Sequence, residues 1–262
     1  MKAFSLMYHD IVAPGESASS GISGADADVY KLERSVFVKH LDGIVQVGLV
    51  RTCLDDWQTM ERPPVFLTFD DGGSCSPWIA DELSRRGWRG HFFITTDWIG
   101  ERGFVTAADL RQMHAAGHVI GTHSASHPLR ISALPQHEIN REWKQSVQVL
   151  SDLLGAIVPV GSVPGGYYSR AVGDSAARAG VKMLFISEPT EHCKQAGEAL
   201  LFGRYFIKQN MGAATAASFA GGPGIARRKQ ALMWKFKKAA KKLGGSLYVK
   251  ARVAYFNKTT RP

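Results

Sequence analysis

Three cysteines in 262 residues, Cys53, Cys75 and Cys193, are too few and too scattered for a disulfide framework, and no Cys-x-x-Cys pair offers a zinc knuckle. They read as reduced thiols of an intracellular protein. No stretch reaches the roughly 20 consecutive apolar residues of a membrane-crossing helix. The opening Met1-Lys2-Ala3-Phe4-Ser5-Leu6-Met7-Tyr8-His9-Asp10 lacks the apolar core and small-residue cleavage site of a secretory leader. The expectation is a soluble, cytoplasmic chain. Internal repeats and low-complexity tracts are absent too. Acid is missing from one end only. Residues 223–262 hold 12 Lys and Arg and no Asp or Glu, whereas residues 1–222 hold 20 basic and 23 acidic side chains. The net charge of +9 therefore belongs to a tail and does not describe the body of the chain.

What is present alternates. Ala3–Tyr8 reads as a first strand ending at His9-Asp10, and Ser35–Val50 carries a helical apolar pattern. Between them, residues 13–28 are rich in Pro, Gly, Ser and Ala and predict a mobile loop. Val65–Phe69 is a short buried-strand run, followed by a helix near Pro77–Arg86 that Gly87 closes. Strands His91–Thr95 and His118–Thr122 flank a capped helix over Thr106–Ala116. The longest helix spans about Pro135–Leu154, and a helix at Ser169–Ala179 precedes a strand at Lys182–Ile186. Repeated strand-then-helix units predict a parallel sheet with helices outside, closed or nearly so, as one domain of roughly 200–250 residues.

In such folds chemistry collects at the carboxyl ends of the strands. Three breaks deposit polar groups there. Thr68-Phe69-Asp70-Asp71-Gly72 sets two adjacent carboxylates after an apolar strand, a costly arrangement unless they are paired or bound to a cation. His123 and His127, in Gly121-Thr122-His123-Ser124-Ala125-Ser126-His127, can converge on one divalent ion if the loop coils by about one turn. Pro164-Gly165-Gly166-Tyr167 lets backbone approach a ligand and aim N–H groups at a developing oxyanion. Taken singly, each has an ordinary structural reading: a capping turn, two surface histidines, a tight loop.

In this order and spacing the residues resemble the polysaccharide deacetylase family, the NodB-homology domain of carbohydrate esterase family four, over about residues 60–190. The resemblance implies a distorted (β/α) barrel of about seven parallel strands. It implies Asp70 as catalytic base, Asp71, His123 and His127 as ligands of a divalent ion, and Pro164, Gly165, Gly166 and Tyr167 as the oxyanion-side loop. Zinc is the expected metal, with cobalt, nickel or manganese as alternatives. The family commonly carries an Arg two residues before the loop Pro, where this chain has Ser162, and Arg204 is one candidate substitute. The family's late His is missing, since no His follows His192, which leaves His9, His192, a metal-bound water or Asp70 returning its own proton as the general acid.

The expected organisation is a barrel over residues 1–222 and a basic extension over 223–262. In the extension Met233, Phe236, Ala240 and Leu243 fall at helical spacing, so a basic amphipathic helix is expected. It would either pack on the barrel or contact an anionic membrane surface, placing the protein at the inner face; no nucleic-acid motif accompanies the charge. The activity implied is metal-dependent removal of N-acetyl groups from a bacterial glycan or glycan precursor. A non-catalytic metal- or glycan-binding protein and an O-acetyl esterase stand beside it.

Overall fold

The computed structural model describes residues 1–47 and 61–236. The strands are β1 Phe4–Tyr8, β2 Ile11–Val12, β3 Leu32–Glu33, β4 Val65–Phe69, β5 His91–Ile94, β6 Val119–Thr122, β7 Val160–Ser162, β8 Met183–Ile186, β9 Lys194–Ala196, β10 Ala199–Gly203 and β11 Tyr205–Phe206. The helices are α1 Ala25–Asp28, α2 Arg34–Val45, α3 Ser76–Ser84, α4 Ala107–Ala115, α5 Gln136–Leu154, α6 Arg170–Arg178 and α7 Ala213–Phe219, followed by α8 over 225–236.

Nine strands form one sheet in the order β11-β1-β4-β5-β6-β7-β8-β10-β9, parallel throughout except that β9 runs antiparallel to β10. The expected parallel (β/α) core is there, with more strands than the seven expected. The additions lie after residue 190, where short runs such as Lys194–Ala196 and Tyr205–Phe206 give too little periodicity to read. Their topology decides the shape. β10 is the last parallel strand at one end of the order, with only the antiparallel β9 beyond it, and β11 is the strand at the other end, yet only Arg204 separates them in the chain. The sheet must curl until its ends meet, and Arg204 is the seam.

Alternation of side chains along each strand divides the core into layers. Phe4, Leu6, Tyr8, Val65, Leu67 and Phe69 face outward into a cluster with Phe37, Leu41, Ile79 and Leu83 of the helices. A second outer cluster joins Leu184 and Leu201 to Trp143 and Val172. The opposite phase, Ala3, Phe66, Phe93, Val160, Phe185, Leu200 and Phe202, fills the barrel interior. Extended by one to three steps, that inward phase reaches His9, Asp70, His123, Ser162 and Arg204. The residues that carry chemistry are the polar continuation of the barrel's own apolar core.

Residues 13–28, expected as a mobile loop, instead hold a 3-10 turn at Ser17–Ser19 and α1. Buried Asp10 fixes them: Ser20 Oγ donates to Asp10 Oδ1 at 2.7 Å, and Cys75 N donates to Ser20 Oγ at 3.0 Å. Gly21 N donates to Gly103 O at 2.8 Å, tying the segment to the loop before α4. The helix expected over Ser35–Val50 ends at Val45, and residues 48–50 of that expectation lie outside the described residues. Thr106 caps α4 through a capping box with Asp109, as its sequence suggested.

The extension begins as expected, with helix α8, but its packed face is different. Gln230 is buried and lies against edge strand β11, where Phe206 N donates to its Oε1 and its Nε2 donates to Phe206 O, both at 3.0 Å. Arg227 lies 4.8 Å over the Phe4 ring. Trp234 completes that inward face, whereas Met233 and Phe236 point to solvent. Polar side chains able to pair an exposed strand edge won over apolar ones. Ala240 and Leu243 lie outside the described residues.

At the seam, a Cβ on Gly203 would lie 2.4 Å from Glu188 O, a backbone atom with no room to yield. Gly203→Ala is expected to destabilise the protein by about 1–3 kcal/mol in denaturant titration; an unchanged midpoint would mean the seam is not closed as described.

Candidate metal centre and its paired carboxylate

β4 runs apolar to Phe69 and ends in two buried carboxylates, each 5 % exposed. They point to different partners because the backbone reverses between them: Asp71 has φ +76°, the left-handed region that non-glycine residues rarely enter. Ser124 (φ +69°) and His127 (φ +53°) are the other two non-glycine residues with positive φ among those described. All three lie in the two loops that carry the candidate ligands, so backbone strain is concentrated there.

Asp70 faces the seam. Arg204, fully buried, grips it with both arms, Nη1 to Oδ1 at 2.6 Å and Nη2 to Oδ2 at 2.8 Å. Nη1 also donates to Thr68 Oγ1 at 3.2 Å and Nη2 to Ser162 Oγ at 2.7 Å. Ser162 thus sits where the family's Arg is expected, and its hydroxyl helps hold an Arg supplied by a different strand. Burial is the largest single influence on Asp70 and pushes it upward, but the charge and hydrogen bonds of Arg204 outweigh it. The carboxyl is held well below the usual range.

Asp71 faces the histidines. His123 Nε2 and His127 Nε2 lie 3.4 and 3.5 Å from Asp71 Oδ1. One ligand atom from each of the three residues lies within 4.8 Å of the others. His123 Nδ1 sits 3.0 Å from Ser162 O, a group that can only accept, so Nδ1 carries the proton and Nε2 presents its lone pair. Burial lowers both imidazoles, His123 to about 3, and keeps them neutral near pH 7. Burial pushes the Asp71 carboxyl up to about 7, with the Asp70 and Asp10 charges adding to it.

The histidine loop is held from behind by α5. Glu142 accepts from Ala125 N, Ser126 N and Ser126 Oγ at 2.8–3.0 Å, and Ser146 bonds Thr122 Oγ1 at 2.6 Å. Nothing in the sequence around Glu142 marked it; an acid at a buried helix position is the one available signal. The Trp98 ring lies 5.4 Å from that of His127 and walls one side.

One carboxylate and two neutral imidazoles, convergent and buried except for the partly exposed His127, fit a first-row divalent ion such as zinc, and three protein ligands leave room for substrate and water. Asp70, committed to Arg204, stands beside this set.

The remaining expected residues divide. His9 ends β1 at the same rim; its ring packs 4.8 Å from Tyr30, and its charge acts on both Asp70 and Asp71. His192 is exposed and bridges Lys2 at the start of β1, the other end of that strand. The structure does not bring it to the rim. Pro164–Gly166 forms a 3-10 turn with Gly165 at φ +60° and Gly166 at φ +71°. These values explain the paired glycines. Within the turn, Gly166 N donates to Val163 O and Tyr167 N to Pro164 O, both at 3.4 Å.

A family model for polysaccharide deacetylases matches residues 58–184. Among solved structures, the chain is similar to the Streptococcus pyogenes deacetylase PplD in complex with acetate, at 20 % identity over 81 % of this chain and 95 % of that one, with a TM-score of 0.66. A polysaccharide deacetylase from Bacillus cereus gives 18 % identity, 84 % and 69 % coverage and a TM-score of 0.71. IcaB from Ammonifex degensii gives 21 % identity, 84 % and 97 % coverage and a TM-score of 0.67. At these identities the likeness establishes the fold. A search of curated proteins finds no match. The motifs described above fall within the matched segment, and residues 58–184 form a polysaccharide deacetylase domain, of a family of hydrolases.

Two outcomes are expected of this geometry. Arg204→Met leaves Asp70 buried without its partner and should cost roughly 3–5 kcal/mol in denaturant titration. The sign follows from linkage. A depressed carboxyl stabilises above its unfolded pKa of about 4 and loses that contribution only as pH falls through the folded value. The deficit should therefore shrink under strongly acidic conditions, and a deficit that ignores pH would contradict the pairing. Zinc affinity, measured by calorimetry, should weaken as pH falls through about 7, where Asp71 takes a proton. His123→Ala should weaken it strongly at every pH; wild-type affinity in that variant would remove the site.

Proposed function

We propose that the protein hydrolyses N-acetyl groups on a sugar of a bacterial glycan or glycan precursor, with a divalent ion, zinc in the first instance, on Asp71, His123 and His127. The observation that carries this reading is the split between neighbouring carboxylates: Asp71 faces two neutral imidazoles while Asp70 is gripped by Arg204.

When bound, the ion supplies Lewis acidity to the acetyl carbonyl and to the attacking water. Asp70 accepts that water's proton. Arg204 keeps it ionised and in one orientation, so it is ready at any ordinary pH and cannot drift into the ligand set. The long turn bond of the Gly166 N–H supports a role for this loop in receiving the oxyanion. Loss of the amine then requires a proton; the position of His9 at the rim supports it as the donor, and that of His192 beside Lys2 speaks against it.

An O-acetyl ester remains a second substrate class, because an alkoxide leaving group depends less on a strong acid. A binding protein without turnover would need Asp70 only for packing.

Asp70→Asn should keep metal affinity and lower acetate release from N-acetylated sugars by roughly 10²–10⁴-fold. Unchanged release would remove Asp70 as the base. No release by the wild-type protein from N- or O-acetyl sugars with metal bound would favour the binding protein. His9→Gln should lower acetate release while leaving metal affinity alone; loss of metal instead would give His9 a structural role.

A further inference from the structure

Helix α8 has two faces with opposite fates. Arg227, Gln230 and Trp234 recur at three and four residues and pack inward along the barrel seam. Arg227 lies over Phe4, Gln230 pairs the backbone of Phe206, and Trp234 lies beside Gly166 of the loop after β7. Ile225, Leu232 and Phe236 recur at seven and four residues, on the side of the helix away from that packed face. They are 79, 56 and 68 % exposed. Met233, 42 % exposed, extends the stripe and, with Ile225, borders an apolar groove of about 740 Å³ against Ala214 and Phe219 of α7. Exposed cations, Arg228, Lys229 and Lys235, lie among and beside these apolar side chains, and no acid occurs anywhere in residues 223–262.

We propose that this outer face docks on an anionic phospholipid bilayer, lying in the plane of the interface. An apolar stripe whose charged neighbours on the helix are all cations matches that surface, since acyl chains receive Ile225, Leu232 and Phe236 while headgroup phosphates pair with the lysines and arginines. The chain's continuation supports this partner. Eight further Lys and Arg and no acid follow Phe236, a charge that complements anionic lipid. A nucleic acid would use the charge but leave the stripe in water, and a second copy of the same basic face would face like charge. With the bilayer on one side of α8 and Trp234 against Gly166 on the other, the catalytic rim is held close to the membrane surface. This goes beyond the reading of the active site and does not depend on it, because the docking is measured without turnover.

The test uses the full chain and vesicles of phosphatidylcholine with and without phosphatidylglycerol, read by co-sedimentation. Binding is expected only with the anionic lipid. The double variant Leu232→Ser, Phe236→Ser keeps every charge and alters only exposed side chains, and it should bind at least about tenfold more weakly. Its unchanged melting temperature would show that it folds. Vesicle binding equal to wild type would overturn the proposal in favour of charge alone, the result also expected of a nucleic-acid surface. Absence of binding by the wild-type chain would overturn it outright. So would a wild-type dimer in sedimentation that the double variant dissolves, because the face would then join copies of this chain.

Discussion

Arg204 can hold Asp70 only because the barrel closes on a single residue. β10 and β11 belong to opposite ends of the sheet order, and the chain crosses between them at Arg204. The inward phase of β10 delivers a guanidinium into a space lined by Phe93, Thr68 and Ser162. A buried cation there would be prohibitive alone, as would Asp70. Each makes the other tenable, and the bidentate fork fixes direction as well as charge. The division of labour between adjacent carboxylates follows from this one contact. With Asp70 committed sideways and the backbone reversed at Asp71, only Asp71 is left to face His123 and His127.

The rest of the site is built by the same alternation that builds the core. Phe66 and Thr68 point inward below Asp70, Val160 below Ser162, and Gly121 below His123. At Gly121 a Cβ would lie 2.7 Å from the Phe93 ring, so glycine lets the strands approach beneath the candidate ligand His123. The histidine loop then depends on α5, whose Glu142 satisfies two backbone N–H groups of a segment containing two left-handed residues. The most strained backbone is thus held by a buried acid, as pre-organised sites require.

How much of this was legible in the sequence depended on locality. Strands such as Val65–Phe69 and the caps at Thr106 and Gly117 are short-range patterns, and the candidate ligands Asp71, His123 and His127 lie within named strings. Arg204 was reachable only as a guess, because its partner is 134 residues away. The signal was there, a charge in phase with Leu200 and Phe202 inside the apolar run 199–207, but alternation cannot say what that charge meets. Glu142 was invisible for the same reason. The loop over residues 13–28 was misread because Gly and Ser composition describes the chain's freedom and not the buried Asp10 that removes it. In α8 the apolar spacing was real, yet it marked the face turned to water; the packed face was set by Gln230 matching an open strand edge.

The account rests on Asp70 staying with Arg204 while Asp71 takes the ion. Anomalous diffraction from zinc-soaked crystals tests this directly. The expected result is one peak about 2.0–2.2 Å from an Asp71 oxygen and the Nε2 atoms of His123 and His127, with Asp70 still in the Arg204 fork. A peak bonded to Asp70, or zinc held elsewhere with Asp71 free, would contradict it.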